Sequence, residues 1–544
     1  MSSNSLRLAL AQCNLTVGDI RGNTRLIIEQ IEHARRGHGA DLIVFPELAI
    51  TSYPPEDLLL RPGLRRRVQK VLDEIIEASH GIRVLIGLPE YTQDELYNSC
   101  FMLEDGAIRA RYRKQVLPNY GVFDEKRYFS AGDQACVLDI KGIPTALTIC
   151  EDIWQPEPVR RAREAGAQLL ININASPYHI DKITVRRQVL QQRVNETGLN
   201  IVYLNLVGGQ DELVFDGGSM IMDHDGRLLW SAPQFESGLY PLTLTMEGES
   251  IHVTGTESSE PLPRPESIYR ALVLGIHDYV HKNGFNGAVI GLSGGIDSAL
   301  TLALAVDALG AENIEVLCMP SRYTADISIE DSRAMADLVK VRYHEFPIEA
   351  PFNAFLEVLQ PVFKGLPVDT AEENIQSRCR GILLMAVSNK TGKMVLATGN
   401  KSEMAVGYAT LYGDMAGGFA PLKDVPKTLV YELSRWRNEQ GRVIPQRIID
   451  RPPSAELKPD QRDDQSLPPY DILDPILERY IEHDQSPEQI MAADFDSETV
   501  NKIIRLVDHN EYKRRQAAPG VRISERAFGR DRRYPITSGY DDSR

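Results

Sequence analysis

The sharpest chemical signal in the sequence is a run of small and polar residues between two apolar stretches. The apolar run GAVIGL ends at Leu292, SGGIDS occupies positions 293–298, and a long apolar stretch follows. Small residues let a backbone approach a ligand, and the free N–H groups at a helix start favour anions. Because the Gly-Lys-Ser/Thr ending of a Walker loop is absent, we expect a pyrophosphate cradle in which Asp297 holds magnesium. The alternative is a small-residue turn that is capped by Asp297 and Ser298.

Three further residues with reactive side chains follow predicted strands in the first half of the chain. Cys150 follows IPTALTI, Lys114 follows RARYR, and Glu47 follows LIVF and one proline. Residues at strand ends can converge at one sheet edge, where a nucleophile is well exposed. A thiol, a carboxylate and an ammonium group can act as nucleophile, base and oxyanion-stabilising cation. Each residue alone has a structural alternative, because a lone cysteine after a strand is usually buried and a lone charge there is usually solvated.

The elements that must position these residues alternate between strands and helices. Short apolar runs such as ADLIVFPE and AQLLININ are separated by amphipathic stretches such as TRLIIEQIEHARR, which is typical of an α/β fold. A polar, proline-rich stretch at 256–266 is typical of a linker, and the α/β alternation begins again after it. We therefore predict two domains, at 1–255 and 267–544, joined by a linker at 256–266.

Composition and charge exclude several classes of protein. The 544 residues are 42% hydrophobic and 25% charged, which excludes a disordered or collagen-like chain. A net charge of −16 disfavours general nucleic-acid binding, so we expect no nucleic-acid partner. The six cysteines contain no C-x-x-C pair, which argues against a zinc site or a disulfide scaffold and suits a reducing cytosol. Without a signal peptide or a membrane-spanning run, we expect a cytoplasmic protein with no membrane partner.

Three segments of the first half resemble the nitrilase superfamily: LIVFPELAITSY, YRKQVLPNYGVFDEKRYF and TALTICEDIW. The resemblance implies an α-β-β-α sandwich that hydrolyses amides through a covalent thioester, with the catalytic residues Glu47, Lys114 and Cys150. It implies that glutamine is held, as in the glutaminase branch, by Tyr120, Glu125, Ser176 and Lys182. Glu125 would also support the lysine, although it could instead face solvent. The sequence departs from relatives at Ser52, where glycine is expected, and a serine there would alter a turn near the pocket.

The second half resembles the ATP pyrophosphatase superfamily, whose members adenylate a substrate and release pyrophosphate. SGGIDSA is similar to the loop of that superfamily, and LATGNKSEMAVGYATLYGDMAGGFAPLKDVPKT at 396–428 is similar to a signature of its NAD synthetase branch. The resemblance implies a Rossmann-like, doubly wound α/β domain with an ATP site formed by Gly291, Leu292, Ser293, Gly294, Gly295, Ile296, Asp297, Ser298 and Thr398. It also implies that deamido-NAD is contacted by Asn374, Glu403 and Lys513, and that magnesium is held by Asp297 and Glu403.

Several residues of the second half also have structural alternatives. Asn374 could cap a helix start, and Asn400 and Glu403 could form a capping box. Arg378 and Arg380 could neutralise phosphate, or they could be solvated or ion-paired on a helix. Lys513 lies in a basic stretch, which is usually a solvated face.

The two halves together have the design of an amidotransferase. The combination implies that glutamine is hydrolysed at Cys150 and that its ammonia attacks an adenylated carboxylate of deamido-NAD. The expected partners are the small molecules glutamine, ATP and deamido-NAD, with Mg²⁺ as cofactor, and the resemblance implies a homo-oligomer. The enzymatic alternatives are a GMP or asparagine synthetase, whose glutaminase domains are unrelated, and a tRNA-thiolating relative, which would need paired cysteines. A degenerate sensor of NAD precursors is a further alternative, but it would have broken motifs.

Overall fold

The chain folds into two compact units that divide after Arg264. The computed structural model describes residues 4–458, 467–540 and residue 542. The first unit contains the strands β1 (Asn4–Gln12), β2 (Leu42–Val44), β3 (Arg83–Tyr91), β4 (Leu96–Glu104), β5 (Ala107–Arg113), β6 (Val137–Ile140), β7 (Ile143–Ile149), β8 (Leu169–Asn174), β9 (Asn200–Asn205), β10 (Val207–Gln210), β11 (Leu213–Asp216), β12 (Met220–Met222), β13 (Leu228–Ser231), β14 (Gly238–Glu247) and β15 (Ser250–Gly255). Its α-helices are α1 (Ile20–Glu32), α2 (Pro62–Ala78), α3 (Pro156–Glu164) and α4 (Lys182–Thr197).

Two large sheets share one core in the first unit. Their strand orders are β15-β14-β1-β2-β3-β4-β5 and β13-β12-β9-β8-β7-β6. Leu8 of β1 and Leu147 of β7 belong to the core between the sheets. Their neighbours Ala9 and Ala146 point the opposite way, toward α1 and α2 and toward α3 and α4 respectively. The result is the predicted α-β-β-α layering.

Strand direction brings Glu47 and Lys114 to the same edge of the first sheet. β2 is parallel to β3, while β4 is antiparallel to both β3 and β5. β2 and β5 therefore run in the same direction, and their carboxyl ends lie at one edge. Glu47 follows β2 and Lys114 directly follows β5.

The second unit contains one parallel sheet with helices around it. Its strands are β16 (Ala288–Gly291), β17 (Ile314–Cys318), β18 (Arg342–Glu345) and β19 (Met394–Leu396). Its helices are α5 (Arg264–Lys282), α6 (Ile296–Leu309), α7 (Asp326–Val339), α8 (Glu349–Phe363), α9 (Thr370–Thr391), α10 (Lys401–Val406), α11 (Lys427–Glu439), α12 (Gln446–Asp450), α13 (Tyr470–Leu477), α14 (Pro487–Met491), α15 (Ser497–His509) and α16 (Glu511–Arg514).

The strand order in this sheet creates a switch point. The strand order is β18-β17-β16-β19. The strands that follow β16 in sequence, β17 and β18, therefore lie on one side of it, and β19 lies on its other side. Val289 of β16 packs against α8 and α9, and its neighbours Ala288 and Ile290 are fully buried on the opposite face. Such doubly wound sheets bind ligands at the carboxyl ends of the strands beside the switch point.

Of the helices described, none combines the length and apolar character needed to cross a membrane.

Candidate active sites

Cys150 lies at the sharp turn after β7, in a short 3₁₀ turn at Cys150–Ile153. Its φ of 44° is in the left-handed region that non-glycine residues rarely adopt. The side chain is buried and only 4% exposed. A conformation of this kind persists only where the surroundings hold it, and it is typical of functional sites.

A fully buried lysine, Lys114, joins the predicted catalytic residue Glu47 to Glu125. Lys114 Nζ donates hydrogen bonds to Glu47 Oε1 and to Glu125 Oε1, each at 2.8 Å. The Lys114 and Glu47 side chains are fully buried, and that of Glu125 is 5% exposed. Glu125 therefore does not face solvent. The two carboxylates compensate the cost of burying one ammonium group.

Further hydrogen bonds fix both carboxylates. Glu47 accepts from Asn98 Nδ2 at 2.7 Å and from the Ala175 N–H at 2.9 Å. Glu125 accepts from the Tyr53 hydroxyl at 3.0 Å. Ser52, next to Tyr53, has a φ of 56°, which explains why glycine is the expected residue at that turn.

The charges in this cluster set the protonation of its members. Burial raises the pKa of the Cys150 thiol well above its usual value, and the charge of Glu47 adds to this while that of Lys114 opposes it. Burial likewise raises the pKa of Glu125 to about 7, against the opposing charge of Lys114. Burial also opposes the charge on Lys114, but Glu125 and Glu47 outweigh it and raise the pKa of the lysine. The resting site therefore holds a neutral thiol beside an ammonium group.

The predicted glutamine-binding residues lie around the Cys150 turn. The Tyr120 hydroxyl donates to Glu151, the residue after the nucleophile, at 2.9 Å. Lys182 Nζ lies 4.1 Å from the centre of the Trp154 ring. Ser176 follows β8, and its hydroxyl accepts from Arg186 Nε at 3.2 Å.

The second site is a cavity of about 270 Å³ at the switch point of the parallel sheet. All nine predicted ATP-site residues line it, at 291–298 and at Thr398. Gly294 has a φ of 79°, and a Cβ there would lie 2.5 Å from the Ser328 carbonyl oxygen, so the loop requires glycine. The N-cap of α6 is Gly295, so Asp297 is not the cap.

A buried lysine also lies between carboxylates in this cavity. Lys427 Nζ donates to Asp297 Oδ2 and, at 3.5 Å, to Glu403 Oε1. Asn400 Nδ2 donates to Asp297 Oδ1 at 2.9 Å, while Asn400 and Glu403 also form the alternative capping box of α10. Burial opposes the charge on Lys427, but Asp297 and Glu403 outweigh it and raise the pKa of the lysine.

The remaining predicted residues bond to the segment at 407–410, which includes residues that line the cavity. Asn374 accepts from the Thr410 hydroxyl at 2.8 Å, and Lys513 Nζ donates to the carbonyl oxygens of Gly407 and Ala409 at 2.7 and 3.0 Å. The alternative of Asn374 as a helix cap is wrong, because Asp369 caps α9. Arg380 lines the cavity and donates to the Met319 carbonyl oxygen at 3.0 Å.

Comparison with known proteins identifies both units. The carbon-nitrogen hydrolase family matches residues 7–249, and the NAD synthase family matches residues 268–517. The chain is 48% identical over 541 residues to a glutamine-dependent NAD(+) synthetase of Acinetobacter baylyi, covering 98% of this chain and 99% of that one. The chain belongs to the glutamine-dependent NAD(+) synthetases.

Two further glutamine-dependent NAD(+) synthetases support the assignment. The protein of Thermotoga maritima is 45% identical over 573 residues, covering 99% of each chain. A solved structure from Acinetobacter baumannii, in complex with ADP, has a TM-score of 0.80 and 46% identity, and it covers 98% of this chain and 99% of that chain. The predicted fold class, family and enzyme class are confirmed, and the GMP synthetase, asparagine synthetase and tRNA-thiolating alternatives are excluded.

Sequence reasoning missed several residues of this NAD(+) synthetase. Lys427 was missed because its partner Asp297 is 130 residues away, although Asp297 belongs to the SGGIDSA loop and Lys427 to the signature at 396–428. Arg186 was missed because nothing around it in α4 marks it as special, yet it is fully buried and bonds Asp216 at 2.8 Å and Ser176. Glu151 and Asp152 stand beside the nucleophile in CEDIW, and that adjacency was the one signal available.

Proposed function

We propose that this chain makes NAD⁺ from deamido-NAD⁺, ATP and glutamine by dividing the chemistry between its two units. The first unit hydrolyses glutamine, and the second adenylates deamido-NAD⁺ and replaces AMP with ammonia. The products are NAD⁺, AMP, pyrophosphate and glutamate. The observation that carries the proposal is the fully buried Lys114 between Glu47 and Glu125, which provides a base and a cation beside the Cys150 turn.

In the glutaminase reaction, Glu47 takes the proton of the Cys150 thiol as the sulfur attacks the amide carbon. The Lys114 ammonium group stabilises the oxyanion that forms. Glu47 then gives the proton to the leaving nitrogen, the C–N bond breaks, and ammonia departs from a thioester. Glu47 next takes a proton from water, the hydroxide attacks the thioester, and Cys150 leaves as a thiolate that regains the proton.

Glutamine recognition falls to the side chains around the Cys150 turn. Lys182 supplies a positive charge that suits the α-carboxylate of glutamine. Tyr120 and Ser176 supply hydroxyl groups, and Glu125 holds Lys114 in place. The buried Arg186 fixes Ser176, because it donates both to the Ser176 hydroxyl and to its carbonyl oxygen, at 3.2 and 2.7 Å.

In the synthetase reaction, a carboxylate oxygen of deamido-NAD⁺ attacks the α-phosphorus of ATP and pyrophosphate leaves. Ammonia then attacks the adenylated carbonyl carbon, AMP leaves, and the nitrogen loses a proton. The loop at 291–298 cradles the phosphates with its N–H groups, Thr398 contacts ATP, and Lys427 adds a positive charge at the cavity wall. We assign the contacts to deamido-NAD⁺ to Asn374, Glu403 and Lys513.

The donor set at the cavity fits a magnesium ion. Asp297 and Glu403 present carboxylate oxygens to one cavity, and Mg²⁺ is usually bound by one or two carboxylates together with substrate phosphates. We assign these two residues as the ones that would hold the ion. Bound there, Mg²⁺ would neutralise the charge of the phosphates. In the described part of the chain, no group of three or more His, Cys, Asp or Glu residues offers a metal cage.

We propose that the chain acts in the reducing cytoplasm as a homo-oligomer. All six cysteines are free thiols, which suits a reducing compartment. Phe355, Val358 and Val362 share one face of α8 and are 42%, 76% and 71% exposed, and a large exposed apolar face marks a protein contact. Light scattering should give the mass of two or more chains, and Val358→Asp/Val362→Asp should lower it. A single-chain mass for the unmodified protein would contradict this proposal.

Cys150→Ala should separate the two activities. Without the thiol no thioester can form, so glutamine-driven NAD⁺ synthesis should fall by at least about 10³-fold. Ammonium-driven synthesis should remain within about twofold, because the second unit is unchanged. Steady-state NAD⁺ formation with each nitrogen donor measures both rates. Cys136→Ala, at a half-buried cysteine of the same unit, is the matched control and should retain both. Loss of both activities in folded Cys150→Ala protein would contradict the division of labour.

Asp297→Asn should have the complementary effect. The change preserves size but removes a negative charge from the Lys427 contact and from the predicted magnesium site. Synthesis with either donor should fall by about 10²-fold or more, while glutamate release at Cys150 continues at a basal rate. Asp337→Asn, on the exposed face of α7, is the control and should be fully active. Full activity of Asp297→Asn would restrict this residue to a structural role.

A further inference from the structure

The most heavily hydrogen-bonded carboxylate near the nucleophile belongs to Asp152, which is fully buried. Its Oδ2 accepts from the Ile149 N–H at 3.0 Å and from the Tyr112 hydroxyl at 2.7 Å. Its Oδ1 accepts from the N–H groups of Gln115 and Val116 at 3.0 and 2.8 Å. Each oxygen therefore accepts two hydrogen bonds.

The four donors belong to two segments of the chain, one next to Cys150 and one next to Lys114. Ile149 immediately precedes Cys150, whereas Gln115 and Val116 immediately follow Lys114. The Lys114 N–H is itself bonded to the Asn98 carbonyl oxygen at 2.9 Å, so the lysine backbone is held from two directions. One carboxylate thus connects the turn that carries the nucleophile to the segment that carries the cation.

We propose that Asp152 is a positioning residue that fixes the distance between the Cys150 turn and Lys114 during glutamine hydrolysis. This inference rests on the proposed function, in which the Lys114 ammonium stabilises the oxyanion that forms on the amide oxygen when the Cys150 sulfur attacks the carbonyl carbon. Asp152 acts through the backbone and does not itself contact the substrate.

The chemistry of the carboxylate suits this role. An ionised carboxylate only accepts hydrogen bonds, which matches four donors, and bonds to a charged acceptor are about twice as strong as neutral ones. Burial raises the pKa of Asp152 to about 6, against the opposing hydrogen bonds of Ile149 and Tyr112, so the group is ionised at neutral pH. Cys150 also has a φ of 44°, a conformation that needs support from its surroundings.

Asp152→Asn is the direct test, because it preserves the shape of the side chain. The amide has one acceptor oxygen instead of two, so one pair of donors must face an NH₂ group. We expect kcat for glutamate release to fall by about 10²-fold, since a displacement of about 1 Å can cost that much. The KM for glutamine should stay within about threefold. The alkylation rate of Cys150 by iodoacetamide, followed by mass spectrometry, should also change.

Ammonium-driven NAD⁺ synthesis by the same protein should be unchanged, because the second unit is unaltered, and thermal melting of the variant reports whether the first unit is folded. Asp139→Asn is the matched control, because Asp139 accepts one backbone hydrogen bond, from Gly142, in the exposed turn before β7, and it should behave as the unmodified chain. Unchanged kcat with a lower melting temperature would restrict Asp152 to a structural role and overturn the proposal. A raised KM at unchanged kcat would overturn it as well.

If Asp152→Asn does not accumulate as folded protein, Tyr112→Phe tests the positioning role of Asp152 instead. It removes one of the four donors and leaves the backbone bonds in place, so kcat should fall by about fivefold at unchanged KM. Unchanged kcat in Tyr112→Phe would then overturn the proposal. Failure of the proposed function itself is distinguishable, because glutamate release by the unmodified chain would then be absent or would persist in Cys150→Ala.

Discussion

The buried ammonium group of Lys114 is the interaction on which the first unit depends. Removing one charge from water costs several kcal/mol, and the two carboxylates of Glu47 and Glu125, which accept hydrogen bonds from the ammonium group, offset that cost. They come from different segments: Glu47 follows β2, and Glu125 follows the loop after Lys114. The sheet edge, the Tyr53 turn and the Ala175 N–H all contribute contacts that keep these carboxylates in place. The surrounding structure therefore keeps the Lys114 ammonium group buried and fixed in position, as the proposed oxyanion-stabilising role requires.

The second unit applies the same constraint to a different task. Lys427 is also buried against two carboxylates, Asp297 and Glu403, but this cluster lines an open cavity at a switch point. An arriving polyanion can compete for the lysine, and the carboxylates can then turn to a divalent cation. In the proposed function, a buried lysine between two carboxylates would stabilise an oxyanion in the first unit and would bind phosphate in the second.

The sequence predicted the elements well because strand ends are local features. The strands before Glu47, Lys114 and Cys150 and the small-residue loop before α6 follow from runs of fewer than ten residues, and the α/β alternation follows from local stretches little longer than that. Partners far apart in the chain could not be predicted in this way. Arg186 with Asp216 and Asp152 with Gln115 depend on tertiary packing, and no local pattern distinguishes them from surface charges. Asn374 failed as a helix cap because Asp369 begins the helix five residues earlier.

The most direct test of the account follows the nitrogen. Glutamine labelled with ¹⁵N in its amide should be supplied with ATP and deamido-NAD⁺, in a buffer whose unlabelled ammonium exceeds the ¹⁵N released but alone supports only a small fraction of the glutamine-driven rate. At neutral pH free ammonia is almost entirely protonated, because the pKa of ammonium is about 9 to 10, in the range of the lysine reference of about 10.4, and ammonium is not a nucleophile. We therefore expect the nitrogen released from glutamine at Cys150 to reach the adenylated carbonyl without equilibrating with water. The account predicts that mass spectrometry of the NAD⁺ formed will show almost entirely ¹⁵N in the carboxamide; a carboxamide that carries mainly ¹⁴N would contradict it.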